Sequence, residues 1–208
     1  MAGEQFSSVL RQMYRFFRIR NAIHHHNLEK VKALVTDDPD LLHKTDRNGW
    51  SALHIASYYD ASDILTYLLT QGLSADIKDL HGVTPLHVAV EEGNANAVRI
   101  LLENGADVRI PYMDMWSPFH LAAAAGHPDV VDALAETDIG QINDPDELLL
   151  TPLHCAAEGG HLRTAERLVH HGAKLDAVDN RGRTPLATAR EAEHERIAAF
   201  LEGATEPQ

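Results

Sequence analysis

The sequence predicts an all-α solenoid in which similar pairs of helices stack on one another. The phrases SALHIA, TPLHVA, SPFHLA, TPLHCA and TPLATA begin at residues 51, 84, 117, 151 and 184, so one phrase follows the last every 33 or 34 residues. After each phrase comes a second apolar run with the i, i+3, i+4 spacing of an amphipathic helix. Units of this length cannot bury an apolar face alone, so the repeat predicts stability by stacking.

Each unit carries its own start and stop signals, in the same order. A Thr or Ser is expected to cap the first helix, and proline follows at the first helical position, where its missing N–H costs nothing. Glycine then ends the second helix, and aspartate opens a hairpin-like loop to the next unit. The glycines are Gly72, Gly105 and Gly172, and the aspartates are Asp46, Asp79, Asp146 and Asp179.

The 33-residue period, the Thr-Pro-Leu-His phrase and a later Gly-Ala-Asp phrase resemble the ankyrin repeat. The resemblance implies a single ankyrin-repeat domain over 19–202 that binds proteins and is not an enzyme. It also implies that the histidine of each phrase links neighbouring loops by hydrogen bonds. The repeats implied are 19–48, 49–81, 82–114, 115–148, 149–181 and 182–202, and the histidines are His54, His87, His120 and His154.

The two ends differ from the repeats. Residues 1–20 carry a charge of +3, and their apolar residues recur at helical spacing. We expect an amphipathic capping helix over 1–18; an organelle presequence or a membrane-surface helix is the alternative. At the other end, charged residues crowd the last repeat as in a terminal cap, and a flexible tail is expected over 203–208.

Composition excludes several classes of function. The formal net charge of −13 argues against binding nucleic acid, which needs a cationic surface. The sequence contains no run of 18 apolar residues, so no membrane span is predicted, and no secretory signal is recognisable. A single cysteine allows no internal disulfide and favours a reducing compartment, so we expect the cytoplasm, with the nucleus as an alternative.

Histidine and cysteine are abundant or reactive enough to suggest chemistry, but the pattern favours structural roles. Fourteen histidines are present, and His24, His25 and His26 point about 100° apart on a helix, which prevents convergence on one metal. Cys155 aligns with Ile55 and is expected to be an inert buried thiol. No catalytic motif is found. We therefore expect no enzyme activity, no metal and no cofactor.

The loop between the third and fourth repeats departs from the pattern. Tyr112 replaces the turn aspartate, Met115 replaces the glycine that permits positive φ, and Met113 and Trp116 add further bulk. The next loop also lacks glycine and contains Leu148, Leu149 and Leu150, and Trp50 is in register with Trp116. These residues predict a hydrophobic contact patch for a partner; alternatively, neighbouring loops pack them together as a minor core.

Variable side chains at the ends of the first helices are expected to line a concave groove. Tyr58 and Tyr59 give it an aromatic end, and Glu91 and Glu92 an acidic stretch. The resemblance thus implies a rigid adaptor, inhibitor or assembly factor with an unidentified protein partner, and we expect it to be monomeric when unbound. A regulatory subunit whose acidic groove masks a basic surface, and an ankyrin-type bacterial effector, are the alternatives. Asn143 occupies a loop position that is hydroxylated in some ankyrin repeats.

Overall fold

The computed structural model describes residues 15–112, 116–137 and 139–205, and these confirm the predicted all-α solenoid. Within them, the β-structure recorded is a single bridge between Tyr112 and Trp116. Two short 3-10 helices, Pro39–His43 and Ile139–Asn143, lie between longer helices. The helices are α1 (15–24), α2 (Leu28–Asp37), α3 (Ala52–Tyr58), α4 (Ser62–Thr70), α5 (Pro85–Glu91), α6 (Ala95–Glu103), α7 (Pro118–Ala125), α8 (Pro128–Thr137), α9 (Pro152–Gly159), α10 (Leu162–His170), α11 (Pro185–Glu191) and α12 (Glu195–Thr205).

The helices form two layers, and each repeat contributes one helix to each layer. In the inner layer α3, α5, α7, α9 and α11 contact one another in sequence order, and α4, α6, α8, α10 and α12 do so in the outer layer. Proline begins four of the inner helices, and the Thr84 and Ser117 hydroxyls accept hydrogen bonds from the amides of His87 and His120. The predicted capping residue stands directly before each of the five inner helices.

Small residues allow the inner layer to pack closely. A column of alanines, one in each inner helix, is wholly buried, and larger apolar residues fill the space between the layers. Each fully buried Leu or Phe contributes about 1.5–3 kcal/mol relative to an exposed one. The alanines are Ala56, Ala89, Ala122, Ala156 and Ala189, and the larger residues include Leu53, Leu86, Phe119, Leu153, Leu65, Leu101 and Leu134.

Each end of the solenoid is closed by a helix. Phe16, Ile19 and Ile23 of α1 are buried, and α1 crosses the predicted boundary between 18 and 19 without interruption. The rest of the expected capping helix, 1–14, lies outside the described residues. Helix α12 continues to Thr205, so residues 203–205 are helical where a flexible tail was expected; the Thr205 hydroxyl closes the last turn on the carbonyl of Glu202.

Candidate functional site

A ladder of histidines joins each repeat to the next loop. The imidazole Nδ1 accepts from the backbone N–H of the capping Ser or Thr, at 3.1–3.3 Å. The Nε2 atom donates to a backbone carbonyl of the following loop, at 2.9–3.0 Å. An amide can only donate and a carbonyl can only accept, so these contacts fix the neutral Nε2–H tautomer. The predicted linking role of the histidines is confirmed for His54, His87, His120 and His154.

Burial makes this ladder sensitive to protonation. The four rings have at most 1% of their surface exposed. Burial lowers the pKa of each of them below its ordinary value, and the hydrogen bond to the carbonyl offsets this only in part. A proton on Nδ1 would also point at the backbone N–H that now donates to this atom, so that hydrogen bond would be lost. The ladder therefore requires neutral histidine.

A second set of polar links joins the turns between the paired helices. The Nε2 atoms of His127, His161 and His194 donate to carbonyls of the preceding repeat at 2.9–3.0 Å, and the amide of Asn94 fills the same place one repeat earlier. Each ring lies against a glycine of the preceding repeat: a Cβ on Gly126 would stand 2.5 Å from the ring of His161. Each of these histidines is thus fixed to the preceding repeat by a hydrogen bond and by a close contact with a glycine.

The loop around Tyr112 is rebuilt where it meets the ladder; its tip, where the sequence predicted remodelling, lies outside the described residues. Tyr112 and Trp116 exchange two backbone hydrogen bonds of 2.8 and 3.1 Å. His87 donates to Ile110, whereas the other histidines of the ladder donate to the residue directly before the next cap. The rebuilt loop therefore keeps its link to the ladder by a different carbonyl. The predicted contact residues Met113 and Met115 lie outside the described residues.

The two tryptophans are half-buried and contribute to packing. Trp116 stacks on His120 with ring centroids 6.3 Å apart, and its indole N–H donates to Asp146 at 3.2 Å. Trp50 stacks on His54 at 6.1 Å and contacts Tyr58. Each ring thus covers one histidine of the ladder and remains partly exposed.

The exposed apolar side chains concentrate on the loops between repeats. Among the described residues six large apolar side chains are exposed, and four of them lie on these loops. They are Leu80 (73%), Leu148 (53%), Leu149 (48%) and Val178 (51%). We call these four the loop-tip residues. Sequence reasoning named Leu148 as a contact and missed Leu80 and Val178.

Leu149 shows why the fourth loop is unusual. Its register matches Gly49, Gly82 and Gly182, and it adopts the same left-handed conformation with φ of +59°. That conformation costs a residue with a Cβ about 1–2 kcal/mol. The carboxylate of Asp146 offsets this by accepting from the amides of Leu148 and Leu150, both at 2.8 Å. The loop therefore holds two adjacent leucines at its tip against local strain.

The predicted groove residues fall into two groups. Tyr58 is 39% exposed, and Tyr59 is half-buried between Tyr58 and His24, with ring centroids 4.9 and 4.7 Å away. Glu91 and Glu92 at the end of α5 are exposed, and neither carboxylate has an ion pair within the described residues. Trp50, Tyr58 and Tyr59 thus form one cluster, and the two glutamates form a separate acidic stretch.

Reactive groups elsewhere are structurally engaged. Burial raises the pKa of the Cys155 thiol to about 12, which keeps it protonated and unreactive. Asn143 donates to the carbonyl of Gly172 at 3.1 Å and accepts from the amide of Lys174 at 2.7 Å. Over the described part of the chain, no three His, Cys, Asp or Glu side chains are grouped to hold a metal. None of its helices is long and apolar enough to cross a membrane.

Comparison with known proteins agrees with this architecture. A family model described as ankyrin repeats (3 copies) matches residues 19–112 and 119–206. A segment of 56 residues is 48% identical to the target of rapamycin complex 2 subunit AVO2 of Saccharomyces cerevisiae. It spans 26% of this chain and 13% of that protein. A segment of 60 residues is 43% identical to the cyclin-dependent kinase inhibitor 2A of Monodelphis domestica. It spans 28% of this chain and 35% of that protein.

A third relative is the Notch-regulated ankyrin repeat-containing protein of Xenopus tropicalis, which is 51% identical over 45 residues, 22% of the chain and 39% of the relative. The chain thus matches less than half the length of each of these three proteins. The family model covers the repeated helix pairs described above.

Proposed function

Because the chain belongs to the ankyrin-repeat family, we propose that it is a non-catalytic protein-interaction module that acts as an adaptor, inhibitor or assembly factor. It binds a protein partner through its loop-tip residues and the adjoining groove. Two of its relatives are named as an inhibitor and as a subunit of a complex, roles that depend on protein contacts. The partner itself is not identified by these matches, which cover only parts of the relatives.

The observation that carries this proposal is the concentration of exposed apolar side chains on the loops between repeats. Leu80, Leu148, Leu149 and Val178 all lie on the loops between repeats, and each is about half exposed or more. Apolar groups gathered on one edge are informative, whereas scattered ones are ordinary. Leu149 also adopts a strained conformation at this edge, and strain of this kind concentrates at functional sites.

The histidine ladder explains how such an edge would bind well. Each loop is tied to the preceding repeat through a buried imidazole, so the tips are held in place before a partner arrives. Little conformational entropy is then lost on binding, which leaves more of the contact energy for affinity. A rigid edge of separate apolar tips suits a partner surface with matching pockets.

An acidic groove that masks a basic surface is the second candidate. Glu91 and Glu92 are exposed and without ion pairs in the described residues, and the formal net charge is −13. Binding of this kind weakens strongly with salt, because exposed charges are screened beyond about 8–10 Å. Binding by the loop tips changes little with salt, so the two candidates separate in one titration.

The proposal is tested by affinity capture from lysate with quantitative mass spectrometry. Wild type is compared with Leu80→Ser/Leu148→Ser, which leaves the buried core intact. Phe17→Ser is the matched control, because Phe17 is 61% exposed but lies on α1. We expect a partner captured by wild type and by the control to be lost from the double variant. Equal capture by all three refutes a role for the loop tips.

A further inference from the structure

A cavity of about 310 Å³ opens at the N-terminal end of the groove. Trp50, Tyr58 and Tyr59 line it with Ile55, which is 2% exposed. The aromatic rings brace one another, with centroids 5.7 Å apart for Trp50 and Tyr58 and 4.9 Å apart for Tyr58 and Tyr59. The cavity therefore offers a preformed surface of mixed polar and aromatic character, with room for one side chain of a partner.

The same cavity is lined by two arginines that have no ion pair within the described residues. Arg20 comes from α1 and Arg47 from the first loop, and both are exposed. Elsewhere, Arg15 and Arg99 are paired with carboxylates at 2.7 and 2.9 Å. Two free guanidinium groups therefore converge on one site in a chain whose formal charge is −13.

One carboxylate also lines the cavity, against the two arginines, and one of its oxygens is engaged by the backbone. Asp46 accepts hydrogen bonds through Oδ1 from the amides of Asn48 and Trp50, at 2.8 and 3.0 Å. No hydrogen bond of the hydroxyls of Tyr58 and Tyr59 is recorded within the described residues, so both can donate to a ligand. The charges and donors of the cavity thus favour an anion.

We propose that this cavity anchors an acidic residue within a peptide segment of the protein partner. An Asp or Glu carboxylate of the partner pairs with Arg20 and Arg47, and a neighbouring aromatic or aliphatic side chain packs on the tyrosines and Trp50. Guanidinium groups bind carboxylates through paired hydrogen bonds, and aromatic surfaces of this kind are typical binding hot spots. The inference rests on the proposed function and specifies the chemistry of its ligand.

The acidic stretch of Glu91 and Glu92 lies beside the cavity and indicates what the neighbouring part of the bound segment carries. Helix α5, which ends at Glu91, packs directly beside α3, which ends at Tyr58. Packed helices are about 8–10 Å apart, which an extended peptide spans in about three residues. A bound segment therefore carries its acidic anchor at one end and a Lys or Arg about three residues away, opposite Glu91 and Glu92.

The test uses a fluorescein-labelled, end-capped peptide that contains Asp-Phe and, three residues later, Lys-Lys. Its control carries Lys in place of the Asp. We expect saturable binding of the first peptide by fluorescence anisotropy, and Arg20→Glu and Arg47→Glu should each weaken it about tenfold or more. Arg163→Glu is the matched protein variant, because Arg163 is exposed on α10 and its reversal changes the net charge equally. It should leave binding within about twofold of wild type.

Three results would overturn the inference: no saturable binding, equal binding of the control peptide, or equal loss in Arg163→Glu. None of them affects the proposed function by itself, because that is tested at the loop tips. If Arg20→Glu captures the same lysate partner as wild type, the cavity is not an anchor and the interaction module remains. If wild type captures no partner while the peptide binds as expected, the cavity stands and the loop-tip proposal fails.

Discussion

Protonation of the histidine ladder should destabilise the fold below neutral pH. The pKa values of His54, His87, His120 and His154 are lowered by burial, so these rings stay neutral in the folded chain at a pH where the unfolded chain takes up protons. The unfolded state then binds more protons, and the free energy of unfolding rises with pH. The stabilisation is complete above the unfolded pKa of about 6.5 and is lost as the pH falls below it.

The loss of stability at low pH depends on how many buried histidine rings stay neutral in the folded chain. One pH unit below an unfolded pKa of about 6.5, each ring that stays neutral lowers the free energy of unfolding by about 1.4 kcal/mol. Four such rings, all at most 1% exposed, give an upper limit of about 6 kcal/mol at pH 5.5. This is a large part of the roughly 5–15 kcal/mol by which domains are stable.

Urea unfolding at pH 7.5, 6.5 and 5.5, followed by circular dichroism, measures this dependence. The matched variant is His120→Gln, since glutamine can still accept from Ser117 and donate toward Leu150 but does not titrate. We expect the stability lost between pH 7.5 and 5.5 to be smaller by about 1.4 kcal/mol in this variant. An identical pH dependence in both proteins would refute the ladder as the cause.

Three further predictions concern local contacts. Gly126→Ala should destabilise by about 1–3 kcal/mol more than Gly105→Ala in urea unfolding, because the two φ values are alike but only Gly126 has an imidazole ring where the Cβ would stand. Asp146→Ala should cost about 1–3 kcal/mol and change the fluorescence of Trp116, since two amides and the indole N–H lose their acceptor; unchanged stability would contradict this. Cys155 should react with a thiol reagent only after unfolding, because burial raises its pKa to about 12, and rapid labelling of the folded chain would contradict this.

The parts of the fold that were predictable from sequence are those that depend on local geometry. Thr84 caps its helix because a hydroxyl before a proline satisfies the first amides wherever the phrase occurs. Ala122 is buried because its place in the repeat allows only a small side chain between stacked helices. Gly105 takes a positive φ because the end of a helix requires it.

Features that depend on the path of a loop were not predictable. The transfer of the His87 bond to Ile110 depends on where the loop places the Ile110 carbonyl, which the phrase spacing does not encode. Arg20 and Arg47 are distant in sequence, and only the packing of α1 beside the first loop brings them to one cavity. Leu80 could have been recognised, since it is an apolar residue directly after a turn aspartate.

The most direct test of the central claim is hydrogen–deuterium exchange of the chain with and without a captured partner. We predict slower exchange on binding in the loops at 46–50, 79–83, 146–150 and 178–183, which carry the tips or border the cavity. Exchange in the outer helices α4, α6, α8 and α10 should be unchanged. Protection confined to those outer helices would contradict binding by the loop edge.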